Sequence, residues 1–202
     1  MTGPWIRTAT GRDLYLHIPG PAIDILDVAE MLSKTNRFNG ATREPYSVAQ
    51  HSVWMVRNMM KHEYSATAQL YALLHDAPEY ILGDMLSPVQ KYIFGEPDGR
   101  LMISSPWEHA HNFMMTEILH ALGLPATCSG GFHAEVVHHF DMKALRTEFR
   151  DLMRGPEPDY FKHLPEPDPG RIIPNENWRT SREVFLTEFD RLMRAWKQES
   201  GQ

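Results

Sequence analysis

Cysteine is nearly absent from this 202-residue chain. The single Cys128 excludes an internal disulfide, and its setting, Thr127-Cys128-Ser129-Gly130-Gly131, reads as a loop thiol without a chemical role. No apolar run approaches the ~20 residues that would span a bilayer, so no membrane partner is expected. The start, Met1-Thr2-Gly3-Pro4-Trp5-Ile6-Arg7, lacks the charged-then-apolar layout of a signal peptide, which makes a cytoplasmic location the expectation. A surplus of positive charge is also missing. With 26 Asp+Glu against 20 Lys+Arg and a net charge of −6, broad binding to duplex nucleic acid is excluded. A small anionic substrate is not excluded, since it needs only a few locally placed cations. Internal repeats and low-complexity tracts are lacking too.

What remains is an ordinary globular composition, 42% hydrophobic and 23% charged, which predicts one domain over residues 1–202. The twelve methionines are scattered and read as core filling. β-prone runs flanking Thr10-Gly11-Arg12 predict a small hairpin within residues 4–17, the only β structure expected. From Asp24 onward the period is helical. Ile25, Val28, Ala29 and Leu32 form one face, and Ser47 caps a second helix carrying Val48, His51, Ser52, Met55 and Met59. A third helix runs from about Ser65 to Ala77 and is broken by Pro78, with Gly83 as a stop. Ser87-Pro88 and Ser105-Pro106 each read as a cap followed by a first helical residue. A long helix covers about Ala134 to Met153, with Val137, Leu145, Phe149 and Leu152 inward. Six prolines make residues 155–174 an extended surface loop, and a last helix from Ser181, about 181–198, packs back on the core. The predicted fold is all-α, an irregular bundle of six or seven helices with an N-terminal hairpin.

The pair His75-Asp76 follows the apolar run Leu70-Tyr71-Ala72-Leu73-Leu74. Ionisable groups on a buried segment are expensive unless paired or bound to a metal. Taken singly, His51 or His75 reads more simply as a core histidine with satisfied hydrogen bonds. Taken with Asp76 and Asp141, they form a mixed nitrogen and oxygen donor set on three helices, suited to a divalent transition metal. His109, His111, His133, His138 and His139 lack such pairing, although His138-His139 beside Asp141 suggests either a second metal or an outer partner. Glu148 reads as surface charge beside Arg146 and Arg150, and the five tryptophans as packing residues.

The spacing of His, then His-Asp, then Asp, all in helical context, resembles the HD-domain metal-dependent phosphohydrolases over most of residues 24–153. Asn36-Arg37-Phe38-Asn39-Gly40, Tyr46-Ser47-Val48-Ala49-Gln50-His51-Ser52 and His75-Asp76-Ala77-Pro78-Glu79-Tyr80-Ile81-Leu82-Gly83-Asp84 are similar to the bacterial 5′-deoxynucleotidase branch and its phage dATP triphosphohydrolase relatives. The resemblance implies His51, His75, Asp76 and Asp141 as ligands of Mn, Co, Zn or Mg. It implies Glu79 and Asp84 as catalytic residues, Arg37 as a phosphate contact, and Phe38 against the base or sugar. The branch carries Lys where Gln90 stands here, with Lys91 one step later, about 100° around a helix. The resemblance implies a phosphate contact there, which in this chain falls to Lys91. The expected reaction is hydrolysis of a deoxynucleotide 5′ phosphoester, from a triphosphate, dATP favoured, or a monophosphate. The alternative is a metal- and nucleotide-binding regulatory module without turnover. Related enzymes are commonly oligomeric, which leaves a homo-oligomer open.

Overall fold

Most of the side chains expected to cap helices do so in the computed structural model, which describes residues 3–95, 105–125 and 132–201. Asp24 accepts from the Leu26 N–H and starts α1 (Ile25–Lys34). Ser47 accepts from the Gln50 N–H while the Gln50 side chain accepts from the Ser47 N–H, a reciprocal box that fixes the first turn of α2 (Val48–Lys61). Ser65 caps α3 (Ala66–Leu74), a single turn forms α4 (Glu79–Leu82), and α5 spans Ser87–Phe94. A second reciprocal box, Ser105 with Glu108, opens α6 (Pro106–Ala121), followed by α7 (Phe132–Leu152) and α8 (Trp178–Ser200). The architecture is all-α, with seven helices of eight residues or more among the described residues and one two-stranded sheet. None of these helices is long and apolar enough to cross a membrane.

The sheet is the predicted hairpin. Strands β1 (Trp5–Arg7) and β2 (Asp13–Tyr15) pair antiparallel with Ile6 opposite Leu14, and Gly11 takes the left-handed turn conformation at φ 86°. A two-stranded ribbon is marginal by itself. Here Leu14 is fully buried and Asp27 of α1, also fully buried, accepts from the Thr10 N–H at 2.6 Å and Thr10 Oγ1 at 2.8 Å. The hairpin is therefore stitched to the first helix.

Helix α3 is apolar apart from Thr67 and Gln69, and a helix so nearly apolar belongs in the centre. Leu70, Ala72, Leu73 and Leu74 are at most 1% exposed, and α3 packs against α2, α7 and α8. Helix α8 also covers α1 and α2, so the main core is a cluster reaching from Leu14 to Trp196, with Tyr46, Leu152 and Ile172 in a second, smaller one.

Several boundaries differ from expectation. Helix α3 ends at Leu74, so His75 is its C-cap and Asp76 lies in the following turn rather than on the helix. Helix α8 starts three residues early because Asn177 accepts from the Arg179 and Thr180 N–H groups. Ser87 is inside α5 rather than capping it, Leu86 holding that position without a side-chain bond. Leu145 is half-buried, while Phe149 packs edge-on against Phe161 at 5.0 Å. Residues 155–174 are more than surface loop. Arg146 donates to Glu157, Glu166 and the Leu164 carbonyl, and Phe161, Asp168 and Ile172 are buried. Cys128 lies outside the described residues.

Candidate metal centre

Three segments bring the expected ligands together. The capped start of α2 sets His51 one turn into the helix and fully buried. The C-cap of α3 presents His75, the next residue presents Asp76, and the middle of α7 presents Asp141. His51 Nε2 lies 3.4 Å from His75 Nε2 and 3.3 Å from Asp141 Oδ1, and His75 Nε2 lies 3.9 Å from Asp141 Oδ1. Donor atoms of His51, His75 and Asp141 all stand within 4.8 Å of one another, the one such group of His, Cys, Asp or Glu among the described residues. Asp76 flanks it, with Oδ1 at 3.1 Å from His75 Nε2 and Oδ2 at 3.7 Å from His51 Nε2.

The donor chemistry fits a divalent cation. Ligands about 2.1 Å from one ion stand about 3.0–3.4 Å apart at adjacent positions, which matches the two shorter separations. The tautomers agree as well. His51 Nδ1 is 2.6 Å from Glu148 Oε1 and His75 Nδ1 is 2.8 Å from the Ala72 carbonyl, two acceptors that hold the protons on Nδ1. Both Nε2 lone pairs then face each other, an arrangement that calls for a cation between them. A proton can serve. Burial and Arg37 push His51 down, but Glu148 and Asp141 outweigh them and raise it to about 9. His75 is also raised, because Asp76 and Asp141 overcome its burial. Against burial, the imidazoles hold Asp76 and Asp141 below the usual carboxylate range, with Arg37 adding to the effect on Asp76.

One side of the cluster is charged. Arg37 places Nη1 3.5 Å from Asp76 Oδ2 and Nη2 3.2 Å from Glu148 Oε2, with its side chain only 11% exposed. Its Nε is buried without a hydrogen bond among the described residues. Next to it Phe38 and Asn39 adopt left-handed backbone at φ 55° and 50°, strained for a bulky residue. Two bonds fasten that turn: the Arg37 N–H donates to the Tyr46 carbonyl at 2.8 Å and the Phe38 N–H to Asp84 Oδ2 at 3.1 Å. Asp84 is raised by burial and by Asp76, with Arg37 opposing. Glu79, at the start of α4, has Oε2 buried without a partner, and burial together with Asp76 and Asp84 pushes its carboxyl up to about 10.

The other side opens into a cavity of about 390 Å³ reached by His75 and Asp141 and walled by Leu74, Met115, Leu119 and Val137. His111, His133 and His138 also line it; of these the sequence pointed only to His138, through its place beside Asp141. His138 and His139 are exposed, and His139 stacks edge-on to Phe140. Burial keeps His111 below the ordinary imidazole value, with His75 acting the same way and Asp76 opposing. Lys91 is exposed on α5 and makes no ion pair among the described residues, while Gln90 donates to the Met85 carbonyl.

Glu148 is the residue that sequence reasoning misplaced. It is fully buried and contacts His51 and Arg37, not Arg146 or Arg150. The usable signal is its offset. Seven residues after Asp141 is two helical turns, so both carboxylates project from the same face of α7.

No family model matches the chain. Among curated proteins, an uncharacterized protein of Rhodobacter capsulatus is 42% identical over 110 residues, which cover 50% of this chain and 56% of that protein. The match thus spans about half the length of this relative.

Proposed function

We propose that this chain is a divalent-metal-dependent phosphohydrolase of the HD-domain type that cleaves the 5′ phosphoester of a deoxynucleotide. The observation that carries the proposal is the convergence of His51, His75 and Asp141, flanked by Asp76, beside an arginine side chain only 11% exposed and a glutamate with one buried, unpartnered carboxylate oxygen. His51, His75, Asp76 and Asp141 would hold the ion. When bound, it supplies Lewis acidity toward a phosphoryl oxygen and lowers the pKa of water.

The chain's own groups account for the rest. Arg37 offers guanidinium N–H donors from a water-poor position, where a charge-assisted fork to phosphoryl oxygens is strongest. Glu79 Oε2 has no competing partner, and a carboxyl that burial and its acidic neighbours push up to about 10 holds a proton that it can share with an attacking water or hand to the leaving oxygen. Asp84 fixes the Phe38 backbone, and so the direction in which Arg37 and Phe38 leave the chain. The apolar-walled cavity on the His75 and Asp141 side has the volume of a small-ligand pocket and suits the organic part of the ester. A module that only bound metal would gain nothing from Glu79 and Arg37 in these positions. The preference for dATP rests on the resemblance of the three segments quoted above.

The test is turnover of each deoxynucleoside mono- and triphosphate with Mn²⁺, Co²⁺, Zn²⁺ or Mg²⁺, products being separated by chromatography beside Asp76→Ala. Phosphate from monophosphates alone identifies a 5′-deoxynucleotidase, and intact triphosphate from dATP a triphosphohydrolase. No turnover of any substrate overturns the enzymatic reading in favour of a metal- and nucleotide-binding module.

A further inference from the structure

We infer that Glu148 is a positioning residue that ties the metal ligand His51 to the phosphate-contacting Arg37, one carboxylate oxygen serving each. The inference rests on the metal-centre reading for His51 and on the phosphohydrolase reading for Arg37. Oε1 lies 2.6 Å from His51 Nδ1 and Oε2 accepts from Arg37 Nη2 at 3.2 Å, and the side chain is sealed from water. No other acceptor among the described residues engages His51 Nδ1 or Arg37 Nη2.

Each bond has a defined consequence. With Oε1 accepting, the proton of the neutral His51 stays on Nδ1, so that Nε2 presents its lone pair toward His75 and Asp141. Without Glu148 the proton can move to Nε2, which stands 3.3 Å from Asp141 Oδ1 and would donate to it, removing two metal donors at once. Arg37 responds in parallel. Its Nη1 already lies 3.5 Å from Asp76 Oδ2, so a guanidinium freed from Glu148 falls onto Asp76, a ligand carboxylate, and away from phosphate. The two functions are therefore mechanically joined through one side chain two turns along α7 from Asp141.

Glutamine separates them. In Glu148→Gln the amide oxygen can still accept from His51 Nδ1, but the amide NH₂ then faces Arg37 Nη2, donor against donor. Alanine removes both partners. The experiment measures, at about pH 9.5 where proton competition for His51 is smallest, Mn²⁺ affinity of the full chain by competition with a chelating indicator, and inorganic phosphate affinity of the Mn²⁺-loaded protein by calorimetry. Arg37→Ala is the reference for phosphate, and thermal melts verify folding. Glu148→Ala should bind Mn²⁺ about 10–100-fold more weakly. Glu148→Gln should keep Mn²⁺ affinity within about threefold yet weaken phosphate about tenfold or more, toward Arg37→Ala. Equal losses of metal and phosphate in Glu148→Gln, or unchanged phosphate affinity in it, overturn the assignment. So does Mn²⁺ affinity in Glu148→Ala equal to that of the unsubstituted protein. If the alanine variant does not fold, the near-isosteric glutamine variant decides alone. Metal binding without any phosphate binding in the unsubstituted protein would refute the phosphohydrolase reading, and with it the Arg37 half of the assignment, while the metal arm still tests the His51 half.

Discussion

Metal affinity should climb steeply with pH, because the ion must displace a proton that the site holds tightly. An imidazole binds metal only in its neutral form. In the absence of metal, burial and Arg37 disfavour the charged His51, yet Glu148 and Asp141 hold it up to about 9. At pH 7 roughly one molecule in a hundred then has a neutral His51, so affinity is about 100-fold below its alkaline limit, a cost of about 2.7 kcal/mol. Affinity should rise about tenfold per pH unit up to the His51 pKa and level off beyond it. His75 is raised in the same direction by Asp76, which steepens the slope further toward acid. Competition titrations of Mn²⁺ against an indicator of known proton affinity, from about pH 6 to about pH 9.5, give the curve directly. An affinity that stays flat across this range would refute the reasoning, since it would mean that His51 is already neutral at pH 7 or does not bind the ion.

Three further outcomes follow from particular contacts. The folded pKa of His51 lies above its unfolded value, so the stability it contributes to the metal-free protein is full below about pH 6.5 and lost as pH rises through about 9, roughly 3 kcal/mol in all. Thermal melts should show this decline without metal and a much smaller one at saturating Mn²⁺. Glu79→Gln should leave folding and metal affinity intact while lowering kcat about 10²–10⁴-fold, read by steady-state assays on the best substrate. Asp27→Ala removes both acceptors of Thr10 from a fully buried position, and should cost about 2–4 kcal/mol in denaturant unfolding without altering metal affinity.

The helices were legible because their punctuation is explicit. Asp24, Ser47, Ser65 and Ser105 each accept the backbone N–H that their type and place call for. His75-Asp76 was legible because an ionisable pair after an apolar run stands out, and His51 and Asp141 because their spacing from that pair resembles a known ligand pattern. Glu148 was hidden for the opposite reason. Flanked by Arg146 and Arg150, it looks like a surface charge, and only the helical offset from Asp141 reveals that it faces inward. The same two arginines proved to be clamps, Arg146 on Glu157 and Glu166 and Arg150 on the Asp168 and Gly170 carbonyls. Such long-range pairings leave no local period to read. The left-handed Phe38 was illegible as well, because the bond that helps fasten it comes from Asp84, 46 residues away. The cavity wall depends on how α6 meets α7, which neither helix encodes separately.

The central claim is that His51, His75 and Asp141, with Asp76, hold one divalent ion. Crystals of the unsubstituted protein grown or soaked with Mn²⁺, with anomalous data collected near the manganese edge, test it most directly. The account predicts a peak about 2.1 Å from His51 Nε2, His75 Nε2 and Asp141 Oδ1, abolished in Asp141→Ala. A fully formed cluster with no peak at saturating metal, or a peak bound elsewhere on the molecule, would contradict it.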